Sequence, residues 1–304
     1  MTMDDRLLRT RQVAAALGVS PSTIKRWVDL GILRASRTVG KHRLIASSET
    51  LRFARQRGMT PFGLEEGGAE AVVVPPGEIV EGMREALAGA LCEGRAVEAT
   101  ALIHSFHGSG QGATALGDSL IRPVMEQIGH GWMVGRIDVY QEHHATQIVA
   151  AALTDLIARA PRPPDGPDVP LALGAAAEGD MSSLPVLLGE LVLRELGWRV
   201  HNLGAHLPLR SLANAVGDHR PRLVFLTVNH VSDAPRFLRE YRSLYEVAAA
   251  NQAAVILGGR ALGPELRAEL VFAGFGDRMA HLSEFAKRLL GAADAASSPG
   301  RAQP

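Results

Sequence analysis

The chain has 304 residues, 46% hydrophobic and 21% charged, a composition of the ordinary globular kind and a length for about two to three domains. An apolar run of ~18–20 residues is lacking, the N-terminus MTMDDRLLRT is too charged for a secretory signal, and the single Cys92 allows neither an internal disulfide nor a cysteine-built zinc centre; a cytoplasmic protein without membrane contact is expected. The formal net charge is zero, but residues 1–60 hold twelve Lys and Arg against four Asp and Glu, a net of +8, which points to a polyanionic partner for the head.

In the head, Thr10 is a candidate N-cap for a short helix with Val13, Ala14 and Leu17 on its apolar stripe, and Gly18 can end that helix. Ser20-Pro21 starts a second helix, with Ile24, Trp27, Val28 and Leu30 expected on its buried face. Two short helices across a tight turn make a helix-turn-helix, whose second helix enters the major groove. Ser22, Thr23, Lys25 and Arg26 are then the residues facing DNA. A two-strand wing follows, with Arg37, Lys41, His42 and Arg43 placed to touch phosphates. A helix with Leu51 and Ala54 inward closes the head at about residue 60. The stretch LGVSPSTIKRWVDLGILRASRTVGKHRLI resembles the winged-helix DNA-binding domain of the MerR family, which implies double-stranded operator DNA as partner.

Residues 61–77 are rich in Gly, Pro and acid and read as a linker. Helical spacing over residues 78–160 gives four helices with short connections, hence an antiparallel bundle. Gly135 and Asp138 break the last two helices apart, and this corner is dense in chemistry: Trp132 before it, then, after nine residues, Glu142, His143 and His144. Residues 161–168 form a second linker.

Over residues 169–291 strands and helices alternate: Leu171–Ala176, Arg199–Leu203, Leu223–Val228, Ala254–Leu257 and a short element near Phe275 as strands, with helices between and a last helix at Ser283–Leu290. That alternation implies a flavodoxin-like, doubly wound parallel sheet, in which ligands bind beyond the carboxyl ends of the strands. The loops there carry Glu178, Asp180, Ser183, His206, Thr227, Asn229, His230, Gly258 and Gly259. Residues 292–304 are expected to be a disordered tail. The fold class is multidomain, α and α/β.

A winged helix, a bundle with Trp, nine residues and Glu-His, then a flavodoxin-like domain resembles the CarH/LitR family of light-dependent MerR-type repressors that bind adenosylcobalamin. The resemblance implies that Trp132, Glu142 and His143 face the upper side of the corrin, with His143 able to take the upper cobalt position once light removes the adenosyl group. The family's sheet domain has an acid, one residue, His, two residues, Gly after its first strand, and that His ligates cobalt from below. Here Glu178 fits the acid, Asp180 stands in the place of the His and Ser183 in the place of the Gly, where the nucleotide tail of the ligand would thread past the backbone. The Ser-x-Leu element appears only as Thr227-Val228-Asn229, while Gly258-Gly259 is kept.

Three readings stay open for the sensor: cobalamin bound without a lower protein ligand; another tetrapyrrole, haem or bilin, with His206 as a lower-face candidate; or no ligand. No nucleophile–base constellation, phosphate loop or carboxylate pair points to catalysis, and the winged helix argues against a corrinoid methyltransferase module, so a regulator rather than an enzyme is expected. Single winged helices touch few phosphates, which makes a homo-oligomer, dimer or tetramer, the expected working form.

Overall fold

A computed structural model of the chain describes residues 7–17, 19–37, 43–57, 76–164, 166 and 169–297. Two units emerge, one of residues 1–83 with 101–112 and one of residues 84–100 with 113–304.

The head is built on a three-stranded antiparallel sheet of β1 (Leu7–Arg9), β2 (Ser36–Arg37) and β3 (Arg43–Ala46), in the order β1-β3-β2. Helices α1 (Thr10–Ala16) and α2 (Pro21–Asp29) lie between β1 and β2, and α3 (Ser47–Gln56) follows β3. Ser20 caps α2 as the sequence requires: its Oγ accepts the Thr23 N–H at 3.1 Å, and Pro21 fills the first helical position, where no N–H is needed. The core gathers Val13, Ala14, Leu17, Ile24, Leu33, Ile45, Phe53 and Ala54. Trp27 stacks at 4.9 Å on Phe53, and the Arg57 guanidinium lies over both rings.

The two-strand wing forms as β2 and β3, and Leu7–Arg9 adds a third strand on the other side of β3. Three expectations for the head are corrected. Thr10 is the first helical residue rather than the cap; Gln12 Oε1 accepts the Arg9 N–H at 2.8 Å and closes that end. Leu30 lies past the end of α2 and is 65% exposed, since the buried face ends with Trp27 and Val28. On α3, Phe53 rather than Leu51 fills the core beside Ala54. Gly18, Gly40, Lys41 and His42 lie outside the described residues.

The helical segment comprises α4 (Pro76–Cys92), α5 (Ala96–Phe106), α6 (Gly112–Ala115), α7 (Arg122–Met133) and α8 (Val139–Arg159). Residues 116–121 continue α6 into α7 as a wider, π-type turn, in which the Arg122 N–H reaches back five residues to Gly117 O. Pro123 has no N–H for the Ser119 carbonyl, and Arg84 Nε on α4 takes its place at 2.7 Å.

The sheet of the second unit holds β4 (Leu171–Ala176), β5 (Arg199–Asn202), β6 (Leu223–Thr227), β7 (Ala254–Gly258) and β8 (Gly274–Phe275). All pairs are parallel, in the order β5-β4-β6-β7-β8, the flavodoxin-like winding expected of the alternation. Every residue of β4 is buried, which is why it reads as an unbroken apolar and small-residue run. Leu173, Val224, Leu226 and Val255 face α10 (Leu209–His219) and α11 (Ala234–Ala250); Ala172, Leu223, Phe225 and Ile256 face α9 (Leu184–Glu195) and α13 (Met279–Ser297). The short α12 (Pro264–Ala268) precedes β8.

Reciprocal caps fasten the helical layer to this sheet layer. Asp118, in the π turn, accepts the N–H groups of Met279 and Ala280 at 2.8 and 3.0 Å, and Glu195 on α9 accepts the Ala113 N–H at 2.9 Å. Each layer supplies the carboxylate that the other layer's helix N-terminus needs. The last helix differs from expectation at both ends: Asp118 starts it at Met279, and the alanines after Gly291 carry it to Ser297, since alanine is the best helix former.

Candidate functional site

On the head, α2 presents Ser22, Lys25 and Arg26 to solvent. Thr23 is turned inward, its hydroxyl 2.8 Å from Ser20 Oγ. Arg43 grips both carboxylate oxygens of Asp29 at 2.7 and 2.9 Å, so it braces the wing against α2. Arg37 lies on β2 in register with Arg43.

The corner between α7 and α8 is set by two caps. At the end of α7 the Gly135 N–H bonds Trp132 O and the Arg136 N–H bonds Gly131 O, a Schellman ending that needs the left-handed φ of +71° at Gly135. At the start of α8 the Asp138 N–H donates to Gln141 Oε1 at 2.9 Å, and Gln141 Nε2 reaches Cys92 O at the end of α4 at 3.2 Å. These caps hold an apolar surface open to solvent: Trp132, 48% exposed, with Met133, Val134, Val139 and Tyr140 around the turn. A shallow hollow there is lined by Trp132, Arg136, Ile137, Asp138 and Gln141.

In the first turns of α8, His143 Nδ1 stands 2.6 Å from Glu142 Oε2, and Thr146 donates to Glu142 Oε1 at 3.2 Å. A carboxylate only accepts, so His143 carries a proton on Nδ1, and in the neutral ring the lone pair then sits on Nε2. The His143 side chain is 73% exposed, which leaves Nε2 open to a ligand. Carboxylate-backed imidazoles of this kind are the common arrangement for binding a metal through Nε2. His144 instead packs over Gly94 in the turn before α5. The structure places Trp132 in the last turn of α7 and Glu142 and His143 in the first turns of α8, on either side of the corner. Sequence reasoning missed Gln141 and Thr146, although Thr146 sits four residues after Glu142, where helical side chains meet.

The carboxyl edge of the sheet is closed rather than open. Asp180 is 1% exposed, and its carboxylate accepts from Ser182 N at 2.9 Å, Asn229 N at 2.6 Å and Asn229 Nδ2 at 3.1 Å. Its own carbonyl accepts the His206 N–H at 2.9 Å. Asp180 thus knots three loops together from a buried position. His206 is equally committed: its Nδ1 accepts the Gly179 N–H at 2.8 Å, which puts the ring proton on Nε2 and leaves no nitrogen for a metal. The proposed lower-face ligation by His206 is corrected on that ground. Glu178 pairs with Arg236 at 2.8 Å, and His230 lies against Gly179. Ser183 opens α9, its carbonyl accepting the N–H groups of Val186 and Leu187. The Gly258-Gly259 pair serves backbone packing: a Cβ on Gly258 would meet Gly276 O at 2.3 Å, and one on Gly259, at φ +119°, would meet Val228 O at 2.3 Å. Thr227 Oγ1, on β6 at this edge, is buried with no partner among the described residues. Among those residues no three His, Cys, Asp or Glu side chains gather as a metal centre, and no helix is long and apolar enough to cross a membrane.

Residues 7–58 match the helix-turn-helix domain family, and residues 83–156 match the B12 binding domain family. The protein is thus a helix-turn-helix chain carrying a B12 binding domain, with a parallel α/β sheet behind it. More particularly it is CarA- and CarH-like. It is 27% identical over 270 residues to the HTH-type transcriptional repressor CarA of Myxococcus xanthus, covering 86% of this chain and 89% of that one. It is 34% identical over 117 residues to the HTH-type transcriptional repressor CarH of the same organism, 36% of each chain. Among solved structures it shares the fold of the Methanosarcina barkeri monomethylamine corrinoid protein, with a TM-score of 0.56 and 14% identity over 69% of this chain and 99% of that chain. Both relatives are transcriptional repressors, in agreement with the reading of the sequence as a regulator.

Proposed function

We propose that this protein is a cytoplasmic, MerR-type transcriptional repressor that senses cobalamin, with adenosylcobalamin as the ligand and light as the trigger. The observation that carries the reading is the exposed Glu142–His143 pair in the first turns of α8, one helix corner after the exposed Trp132 at the end of α7. A flat aromatic surface and a neutral imidazole nitrogen suit the upper face of a corrin and its metal. Bound there, adenosylcobalamin supplies a light-labile cobalt–carbon bond. Glu142 holds the proton on His143 Nδ1, and the Schellman turn keeps Trp132 within reach. From below, the residues do not fit a metal: Asp180 and His206 are both spent on loop bonds. The head binds operator DNA through Ser22, Lys25 and Arg26 on α2, with Arg37 and the wing on phosphates, and works as a homo-oligomer, dimer or tetramer.

The test is a visible spectrum of the protein mixed with adenosylcobalamin in the dark, desalted and then illuminated, with operator binding followed in parallel. Retained corrin bands that change with light, lost on His143→Ala or Trp132→Ala, support the reading. A protein that retains no corrin overturns it and turns the search to haem and bilins, then to a regulator without ligand.

A further inference from the structure

We infer that this protein reads a corrinoid through its ring alone and leaves the ligand's nucleotide tail outside the sheet domain, so that corrinoids with and without a nucleotide bind alike. The inference rests on the cobalamin reading above and specifies which part of the ligand is recognised.

A tail entering this domain would pass the 178–183 loop and run down one face of the sheet. On the face toward α9 and α13, the uppermost residues of the three inner strands are Ala176, Thr227 and Gly258, paired across the sheet. The next row down is Gly174, Phe225 and Ile256. Phe225 closes the way. It is 3% exposed, and its ring lies directly on two bare glycines: a Cβ on Gly174 would stand 1.9 Å from Cζ, and a Cβ on Gly189 of α9 would stand 2.7 Å from Cε2. Leu282 of α13 comes within 3.3 Å of the same point at Gly189. The notch made by the two glycines is therefore occupied by the protein's own aromatic ring. Moving that ring out would expose on the order of 150–250 Å² of apolar surface, a cost that a tail would have to recover in full.

The other face offers no better path. Val224, Leu226 and Val228 pack there against Leu212, Tyr241 and Leu244, all buried. The entrance is fixed as well, because swinging the 178–183 loop aside breaks the Asp180 bonds to Asn229 and the His206 bonds to Gly179 and Asp180. Along the three inner strands, polarity on the α9 and α13 side ends at the top row, where Thr227 Oγ1 is buried and unpartnered among the described residues; one row down, the Asn202 amide of β5 is already taken by Glu190 of α9. A group reaching that hydroxyl has entered by one residue and meets Phe225 next.

The experiment uses the full chain in the dark, titrated with adenosylcobalamin and with adenosylcobinamide, the same ring and adenosyl group without the nucleotide. Dissociation constants within about threefold of each other are expected, with the bound cobalamin keeping the spectrum of its own base on cobalt. Cobalamin binding about tenfold tighter or more, or a spectrum in which the base has been displaced, overturns the inference while leaving the cobalamin reading intact. If neither corrinoid is retained by protein whose circular dichroism shows it folded, the cobalamin reading itself fails, and the inference with it.

Discussion

Replacing Asp180 tests whether this residue is a loop tie rather than a substitute ligand. Both carboxylate oxygens accept from N–H donors: Oδ1 from Ser182, Oδ2 from the backbone and side chain of Asn229. In Asp180→Asn, either orientation of the amide sets its NH2 against one of these donors, so no flip rescues the site. Leaving a buried donor opposed costs about 1–3 kcal/mol, and Asp180→Ala, which removes all three bonds, about 2–4 kcal/mol. For a unit of this size the alanine variant's melting temperature should fall by roughly 4–16 °C. Asp180→His should fall by a similar amount, because an imidazole at this position inherits the same donors and cannot accept from all of them. Urea denaturation of the three variants with unchanged m-values is the assay. An Asn variant within about 0.5 kcal/mol of the parent would refute the reasoning, since that is the range of a surface substitution.

Three further outcomes are expected. Gly135→Ala forces a Cβ into the left-handed end of α7 and should cost about 1–2 kcal/mol by denaturant titration; no loss would mean the corner is not held by that turn. Lys25→Ala and Arg26→Ala should each weaken operator binding and make its salt dependence shallower by about one unit of log–log slope where a phosphate contact is lost, and undiminished binding for both would refute the assignment of α2. His201 is held below the usual imidazole range by burial first, then by His219 and Arg199. The unfolded chain therefore takes up this proton before the folded one, so the stability is whole above about pH 6.5 and declines as pH falls below it. His201→Gln should flatten that acid limb in melts between neutral and mildly acidic pH, and an unaltered limb would exclude His201 as its source.

Much of the fold could be read from the chain because local rules and tertiary packing agree. Ser20-Pro21 and Gly135 are sites where the backbone allows few residues, and β4 and β6 are buried on both faces and so appear as apolar runs. The corner was legible for the same reason, since Gly135 and Asp138 mark the ends of two helices, with Trp132 just before the break and Glu142 and His143 just after it. What escaped depends on partners far along the chain. Leu7–Arg9 is too short to read as a strand and becomes one only because β3 offers it an edge. Asp180 cannot be told from a solvated loop acid until Asn229 is seen beside it, 49 residues later. Nor do Gly174 and Gly189 announce their purpose, which is to make room for Phe225 from a third element. Motif comparison found the missing imidazole and the extra bulk of Ser183; the closing of the interior by Phe225 appears only in three dimensions.

The bonds around the corner also limit how a ligand at His143 can act on the rest of its unit. Sliding the helical layer over the sheet is disfavoured, because Asp118 and Glu195 each satisfy a helix N-terminus in the opposite layer and a shift of one residue would strand those donors. The wider turn at 116–121 and the Arg84 bond to Ser119 tie the same region to α4. The corner is the softer element, since Met133, Val134, Val139 and Tyr140 surround it without being buried. Its contact with α4 runs through Gln141, whose oxygen takes the first N–H of the α8 cap and whose nitrogen holds Cys92 O. A ligand that re-aims His143 on the first turn of α8 therefore pulls on Gln141, one turn from Asp138, and through it on the end of α4.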